Sequence, residues 1–424
     1  MNGYRCVACS RTQAADFDGF VCPACGSNLE ITYDYAAVVD SIERSGLDRA
    51  RYLFTYAPFL PVRAPRRRFP LRIGATPLYP ARRLGESYGL RNLFLKDDTL
   101  NPSASSKDRA SAIVARRAID IGADVISVAS TGNAGSSMAC IAAATGLKSI
   151  IFVPESAPPA KLTQALSFGA TVLAVRGSYD DAFDLCLAAS QEFGWLNRST
   201  GFNPFTREGK KVCAYEIWEA LDGRVPDRIV VPTGDGNLLS GMWKGWRDLK
   251  AIGLIDRMPR IDAAQSESSD AISRTVRTLR ESGIEQPDWS DVVIEPVEAT
   301  TIADSISVNA PRDGLAAVRA ITESDGEAVT VSDDEILAAI PEMSEMSGVF
   351  PEPAAAASWA AVKRLVDRNA IAADEFVVCL VSGSGLKDID SARTAAPAPL
   401  VIDATIDAVR AALSTAARPT GRLP

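Results

Sequence analysis

Along most of the chain, short apolar runs alternate with longer stretches in which apolar residues recur at three- and four-residue spacing among polar ones. The runs at Leu93–Leu95, Val125–Ala129, Ser149–Pro154, Thr171–Val175, Arg228–Pro232 and Glu375–Val381 read as strands. Asp108 to about Ile121, Ser136–Thr145, Ala160–Phe168, Tyr179–Phe193, Val212–Leu221 and a stretch through Trp246 read as helices. Strands that are apolar almost throughout need cover on both faces, so the alternation predicts an α/β fold built on parallel sheet. Ile31 to about Arg68 reads as helical and linker-like, ending in a basic turn from Arg63 to Arg68, and the tail from Ala395 carries one amphipathic helix.

Several predicted strands end in small polar residues that open a helix. Leu93-Phe94-Leu95 leads through Asn101-Pro102-Ser103-Ala104-Ser105-Ser106 to Lys107, at the start of an alanine-rich helix. A helix N-terminus disfavours a nearby positive charge, so an amine there gains neutral, nucleophilic character. Val125–Ala129 runs into Ser130-Thr131-Gly132-Asn133, and Arg228–Pro232 into Thr233-Gly234-Asp235-Gly236-Asn237-Leu238. Such loops gather backbone N–H groups where the helix dipole is positive, which suits an anion. Asp235 puts a carboxylate beside that anion, so it should point outward, or the loop should hold less charge.

Composition narrows the chemistry. With 424 residues, two domains and an appendage are expected. A net charge of −8 disfavours a nucleic-acid or anionic-membrane partner. The chain opens without a charged-then-apolar leader and holds no apolar run of about 18 residues, so a cytoplasmic location is expected. It has no histidine, which removes imidazole bases, His triads and His metal ligands together. Cys6, Cys9, Cys22 and Cys25 form two Cys-x-x-Cys knuckles able to surround one structural zinc, with a ribbon that has lost its metal or a redox pair as alternatives. Cys140, Cys186, Cys213 and Cys379 lie in apolar segments and read as core.

The stretch Asn101-Pro102-Ser103-Ala104-Ser105-Ser106-Lys107-Asp108-Arg109 resembles the lysine motif of pyridoxal-phosphate enzymes of the tryptophan synthase β fold, fold type II, most closely the threonine synthase branch. Gly74-Ala75-Thr76-Pro77-Leu78, the Asn133 loop, the Thr233–Leu238 loop and Ser382-Gly383-Ser384-Gly385-Leu386-Lys387-Asp388 resemble its other motifs, in order. The resemblance implies a two-domain fold with a zinc-ribbon-like segment at 1–30, a large domain at 31–107 and 202–400, a smaller inserted domain at 108–201, and a tail at 401–424. It assigns Lys107 as the residue that binds pyridoxal phosphate covalently and as the catalytic base. Asn133 would meet the ring's phenolic oxygen, Ser382 the ring nitrogen, and Thr233, Gly234, Asp235, Gly236, Asn237 and Leu238 the phosphate. Substrate contacts would come from Ser105, Ser130, Thr131, Gly132, Asn203 and Thr206. Thr206 stands where the family has the arginine of Asn-Pro-x-Arg, so Arg207 or Lys211 would replace it.

The function implied is that of a threonine synthase-like lyase: β,γ-elimination of phosphate from O-phosphohomoserine or a related activated amino acid, then addition of water. The alternative is β-elimination or β-replacement on a serine, threonine or phosphoserine derivative, for which Ser106 opens space where the branch commonly has phenylalanine. From another class, a non-catalytic zinc-ribbon scaffold is disfavoured by the presence of Lys107, Asn133 and Ser382. A small amino-acid substrate and a homodimer are expected.

Overall fold

The computed structural model describes residues 1–45, 52–65, 69–284 and 286–416. Three sheets organise them. A small antiparallel sheet at the N-terminus pairs β1 (Gly3–Cys6), β2 (Thr12–Gln13) and β3 (Leu29–Thr32) in the order β2-β1-β3. The main sheet takes β4 (Leu78–Pro80) and β5 (Asn92–Asp97) before the chain leaves it. The second sheet follows with β6 (Val125–Ala129), β7 (Lys148–Pro154), β8 (Thr171–Val175) and β9 (Leu196–Asn197), all parallel, in the order β8-β7-β6-β9. The chain then returns to the main sheet with β10 (Arg228–Pro232), β11 (Arg260–Ser266), β12 (Ala328–Val331) and β13 (Phe376–Val381). Its order is β12-β11-β10-β13-β5-β4, and β4 alone runs antiparallel.

The expected alternation is therefore present, and the strands are covered on both faces. Ile229, Val230 and Val231 are fully buried, as are Val377, Val378, Cys379, Leu380 and Val381. Helices Lys107–Ile121 and Asn133–Thr145 each start earlier than the apolar pattern suggested, because Lys107 and Asn133 themselves occupy the first helical position. The segment after β3 is not a linker. Its Phe59 and Tyr56 rings pack against Tyr215 at centroid distances of 5.0 and 5.2 Å. Part of the expected basic turn, residues 66–68, lies outside the described residues, as do 417–424 of the tail. Cys140, Cys186, Cys213 and Cys379 are buried, as expected of core thiols. Among the described residues no helix is long and apolar enough to cross a membrane.

A wholly buried ionic cluster joins the ends of these elements. Lys96 Nζ on β5 donates to Glu216 Oε2 at 2.7 Å and to the Thr76 carbonyl at 2.6 Å. Arg109, two residues beyond Lys107, donates to both oxygens of Asp98, at 2.6 and 2.9 Å, and to both of Glu216, at 2.9 and 2.6 Å. The cluster explains Gly74, whose φ is +72° and where a Cβ would lie 2.4 Å from Glu216 Oε1. Buried charges are tolerable only in such reciprocal sets, and removing one partner strands another. Glu216→Gln is expected to lower unfolding stability by about 3–5 kcal/mol in urea titration. Removing the exposed pair Arg393–Asp390 should leave it unchanged.

Candidate active site

The C-terminal ends of β5, β6, β10 and β13 converge, which is where open α/β sheets hold ligands. The loops after β5 and β13 are stitched together: Ser106 N donates to the Ser382 carbonyl at 2.8 Å, and Ser384 N to the Ala104 carbonyl at 3.1 Å. Lys107 is thereby presented beside Ser382, and both line one cleft with Thr200, Lys210, residues 232–239, Ser305 and Ile306. Among the described residues the Lys107 amine has a single weak contact, 3.4 Å to Ser106 Oγ, and no ion-pair partner. Its pKa is held below the ordinary lysine value, chiefly by burial, with Arg198 adding to the effect and Glu352 opposing it. Burial thus acts in the same direction as the expected helix dipole.

At the end of β10 the turn is too tight for side chains at its glycines. A Cβ on Gly234 would meet the Ile306 backbone at 2.7 Å, and one on Gly236, whose φ is +90°, would meet the Asp313 carbonyl at 2.8 Å. The helix Asn237–Ala251 opens there, and its first amides lack intrahelical acceptors. Thr233 Oγ1 donates back to the Val231 carbonyl at 2.8 Å, and Leu238 completes the turn in the cleft wall. Asp235 does not point outward but lines the cleft. Its Oδ1 accepts the Arg312 amide at 2.7 Å, while Oδ2 is buried without a partner. Burial and then Asp313 push its pKa up to about 7, so near neutrality the loop carries only part of a negative charge.

Asn133 Nδ2 donates to Ser305 Oγ at 3.0 Å and to Glu352 at 3.0 and 2.8 Å. Glu352 was not singled out by sequence. It is buried, its pKa is raised by burial and lowered by Lys107, and it lies so close to Gly383 that a Cβ there would meet its Oε1 at 2.4 Å. It lies in the loop Gly348-Val349-Phe350-Pro351-Glu352-Pro353, whose residue pattern alone does not distinguish a cavity wall from a surface turn. Within the preceding loop Ser130 Oγ accepts the Gly132 amide at 3.2 Å, and Thr131 sits beside it, partly buried. Ser105 is fully buried against Ser103 Oγ at 3.5 Å.

The remaining predicted residues divide. Asn203 is used locally: Nδ2 donates to the Asn197 carbonyl at 2.7 Å and Oδ1 accepts the Phe205 amide at 2.9 Å. Thr206 Oγ1 donates to the Asn203 carbonyl at 2.7 Å and lies 3.3 Å from Asn237 Oδ1. Arg207 is paired with Asp313, and Lys211 with Glu208 and Asp248, each at 2.7 Å, its amine 4.1 Å from the Tyr33 ring centre. Neither is in the cleft wall, because carboxylates of the scaffold already neutralise both. Their neighbour Lys210 is in the wall instead, its Nζ donating to Asn237 Oδ1 at 2.7 Å. One residue turns a helix by about 100°, a difference the sequence of adjacent lysines does not reveal.

An aldehyde-bearing ring with a phosphate needs a free amine, a glycine cradle and polar ring contacts. Lys107, the Gly234–Gly236 turn and Ser382 supply them in one cleft, and Asn133 reaches it through its hydrogen bond to Ser305 in the cleft wall. At the N-terminus the Sγ atoms of Cys6, Cys9, Cys22 and Cys25 all lie within 4.8 Å of one another, with separations of 3.4, 3.5 and 3.8 Å for three pairs. Zinc–sulfur bonds of about 2.3 Å give tetrahedral edges of about 3.8 Å, so the donor set fits that ion.

Residues 70–383 match the family described as "Pyridoxal-phosphate dependent enzyme". The chain is 35% identical to the threonine synthase of Methanosarcina acetivorans over 96% of its own length and 98% of the relative's. It is 34% identical to that of Methanocaldococcus jannaschii over the same shares. Among solved structures it resembles processed threonine deaminase isoform 2 from Solanum lycopersicum, with a TM-score of 0.63 and 19% identity, covering 76% of this chain and 87% of that one. It also resembles diaminopropionate ammonia lyase from Escherichia coli, with a TM-score of 0.64 and 15% identity, covering 89% and 94%. These two likenesses bear on the fold, which is that of fold type II pyridoxal-phosphate enzymes.

Lys107→Ala is expected to abolish borohydride-trapped cofactor, with the label otherwise mapping to the peptide carrying Lys107 and never to Lys96. Because the pKa of Lys107 is lowered, its neutral form is populated at lower pH than that of a free lysine. Cofactor capture by the apoprotein, followed by absorbance, should therefore reach half its plateau below pH 10.5; a midpoint at or above it would remove the effect of burial.

Proposed function

Because the chain belongs to the pyridoxal-phosphate dependent enzymes and is a lyase of threonine synthase type, we propose that its cleft takes O-phosphohomoserine, expels the γ-phosphate by β,γ-elimination and adds water at Cβ to give threonine. The observation that carries this is Lys107, an amine without an ion-pair partner where four strand ends meet. Bound there, pyridoxal phosphate supplies an aldehyde carbon for covalent attachment of the substrate nitrogen and a ring that accepts electron density from Cα.

The chain's own residues then have these roles. Lys107 Nζ removes the proton from Cα and, once it has given that proton up, the one from Cβ, its lowered pKa favouring return to the neutral amine between the two. Ser382 offers the ring nitrogen a hydroxyl rather than a carboxylate, so the ring stays a moderate electron sink and elimination is favoured over transamination. Asn133 orients the ring from the opposite edge, and the amides of Thr233, Gly234, Asp235, Gly236, Asn237 and Leu238 hold the cofactor phosphate. Ser130, Thr131 and Gly132 hold the substrate α-carboxylate, with Ser105, Asn203 and Thr206 around its side chain. Arg207 and Lys211 drop out of the substrate set because carboxylates already occupy them.

The four N-terminal thiolates are proposed to hold one structural zinc, a closed set without an open position for substrate. Residues 108–201 are proposed as a smaller unit moving against 31–107 and 202–400, with 1–30 as the ribbon and 401–424 as a tail, in a cytoplasmic homodimer. Phosphate release from O-phosphohomoserine with threonine formed is the expected result. No phosphate from that compound, with turnover of phosphoserine and a sulfur nucleophile, would replace the reading by β-replacement. Metal analysis should find one zinc per chain, lost in Cys22→Ser, with cofactor still bound; zinc-free native protein would end that assignment.

A further inference from the structure

Eight lysines and arginines are buried among the described residues, and six of them have carboxylate partners: Lys96, Arg109, Arg207, Lys211, Arg228 and Lys244. Arg198 and Lys210 have none. Both belong to the same corner of the cleft. Lys210 is part of its wall, and Arg198 Nη1 donates at 2.5 Å to Oγ1 of Thr200, which is also part of it. Arg198 is fully buried, its Nε lies 3.3 Å from Ser111 Oγ, and its Nη2 has no partner at all. Lys210 Nζ has only the neutral Asn237 Oδ1.

Elsewhere among the described residues every buried lysine and arginine has a carboxylate partner, so two without one beside a single cavity call for an outside counter-charge. The two repel each other and Lys107: both burial and these neighbours hold the pKa of Lys210 well below that of a free lysine, while Asp235 and Asp313 partly offset this. Burial brings even Arg198 down to about 10, although Asp108, Tyr179 and Asp235 pull the other way. An anion of charge −2 would relieve both sites at once, whereas an uncharged ester would leave them stranded.

We propose that Arg198 and Lys210, with Thr200 at the cleft wall, form the subsite for the dianionic phosphate of the substrate and select phosphorylated over acylated amino acids. Thr206 cannot bring this charge, so it comes from positions eight residues before it and four after it. The inference rests on the lyase reading above and names the residues that set its leaving-group specificity.

The test uses holoenzyme and two non-reacting probes read by the cofactor's absorption: 2-amino-5-phosphonopentanoate, which carries the dianion, and norvaline, which does not. Lys210→Gln and Arg198→Gln should each weaken the phosphonate by about tenfold to a hundredfold, the loss expected for a hydrogen bond to a charged group, while norvaline binds unchanged. Lys210→Arg should restore most of the affinity. Because the pKa of Lys210 is lowered and a bound dianion would raise it, phosphonate binding should take up protons in the native enzyme, measured calorimetrically in two buffers, and fewer in Lys210→Gln. If Arg198→Gln does not fold, Arg198→Lys and Lys210→Gln decide. Unchanged phosphonate affinity, an equal loss for norvaline, or loss of the cofactor itself would overturn the subsite, the last by showing that the two cations serve the cofactor's phosphate. If phosphonate binding depends on both cations yet O-phosphohomoserine releases no phosphate, the reaction fails and the subsite stands.

Discussion

The geometry of the cleft depends on the ionic cluster of Lys96, Asp98, Arg109 and Glu216. Its members come from β5, the turn after it, the first turn of the lysine-bearing helix and the helix Val212–Ala220. Bidentate guanidinium–carboxylate contacts are directional as well as strong, so Arg109 fixes the rotation of its helix about its axis. Lys107 lies two positions earlier on that helix, and the bearing of its amine follows. Whether such a cluster adds net stability over apolar residues of the same volume is a separate matter; its value here is that only one arrangement satisfies every donor and acceptor.

The same accounting of charge separates scaffold from site. Around Glu208, Asp248, Lys211 and Lys244 the charges are matched and capped by the hydroxyls of Tyr33, Tyr35 and Tyr215. Around Lys107 they are not: the pKa of Glu352 is raised by burial, that of Asp235 sits near 7, and among the described residues Lys107, Arg198 and Lys210 have no carboxylate partner, only neutral ones. Perturbed groups gather where function requires unsatisfied potential, and here that imbalance marks the cleft independently of any likeness to other proteins.

Much of this was legible in the chain itself. Alternating runs located β6, β8 and β10 to the residue, because strands buried on both faces leave an unambiguous apolar signature. The lysine, asparagine and glycine loops were visible because each must follow a strand and open a helix. Side-chain direction was not. Arg207 and Lys211 carry the right charge at nearly the right place, yet helical rotation turns them into the scaffold and leaves Lys210 in the wall. Glu352 and Arg198 were missed for a related reason: an isolated glutamate or arginine has no local pattern, and the partners that place it lie far along the chain, Asn133 for Glu352 and Ser111 for Arg198, 219 and 87 residues away. The stretch Leu53–Phe59 was underrated because its aromatic residues find their partner in Tyr215, far along the chain.

Asp313 ties the N-terminal cysteine segment to the glycine turn after β10. Asp313 accepts from Asn28 beside the cysteine knuckles, from Arg207, and from Asn237 and Ser240 in the first turn of the helix below the glycines. Deleting the ribbon would therefore not be a neutral trimming of the terminus. It would strip a donor from a buried carboxylate and remove Glu30, whose Oε2 lies 3.3 Å from Arg247 Nη1 and 4.0 Å from Arg207 Nη1, so a shortened chain inherits a different charge balance beneath the cleft even though every residue lining it is retained.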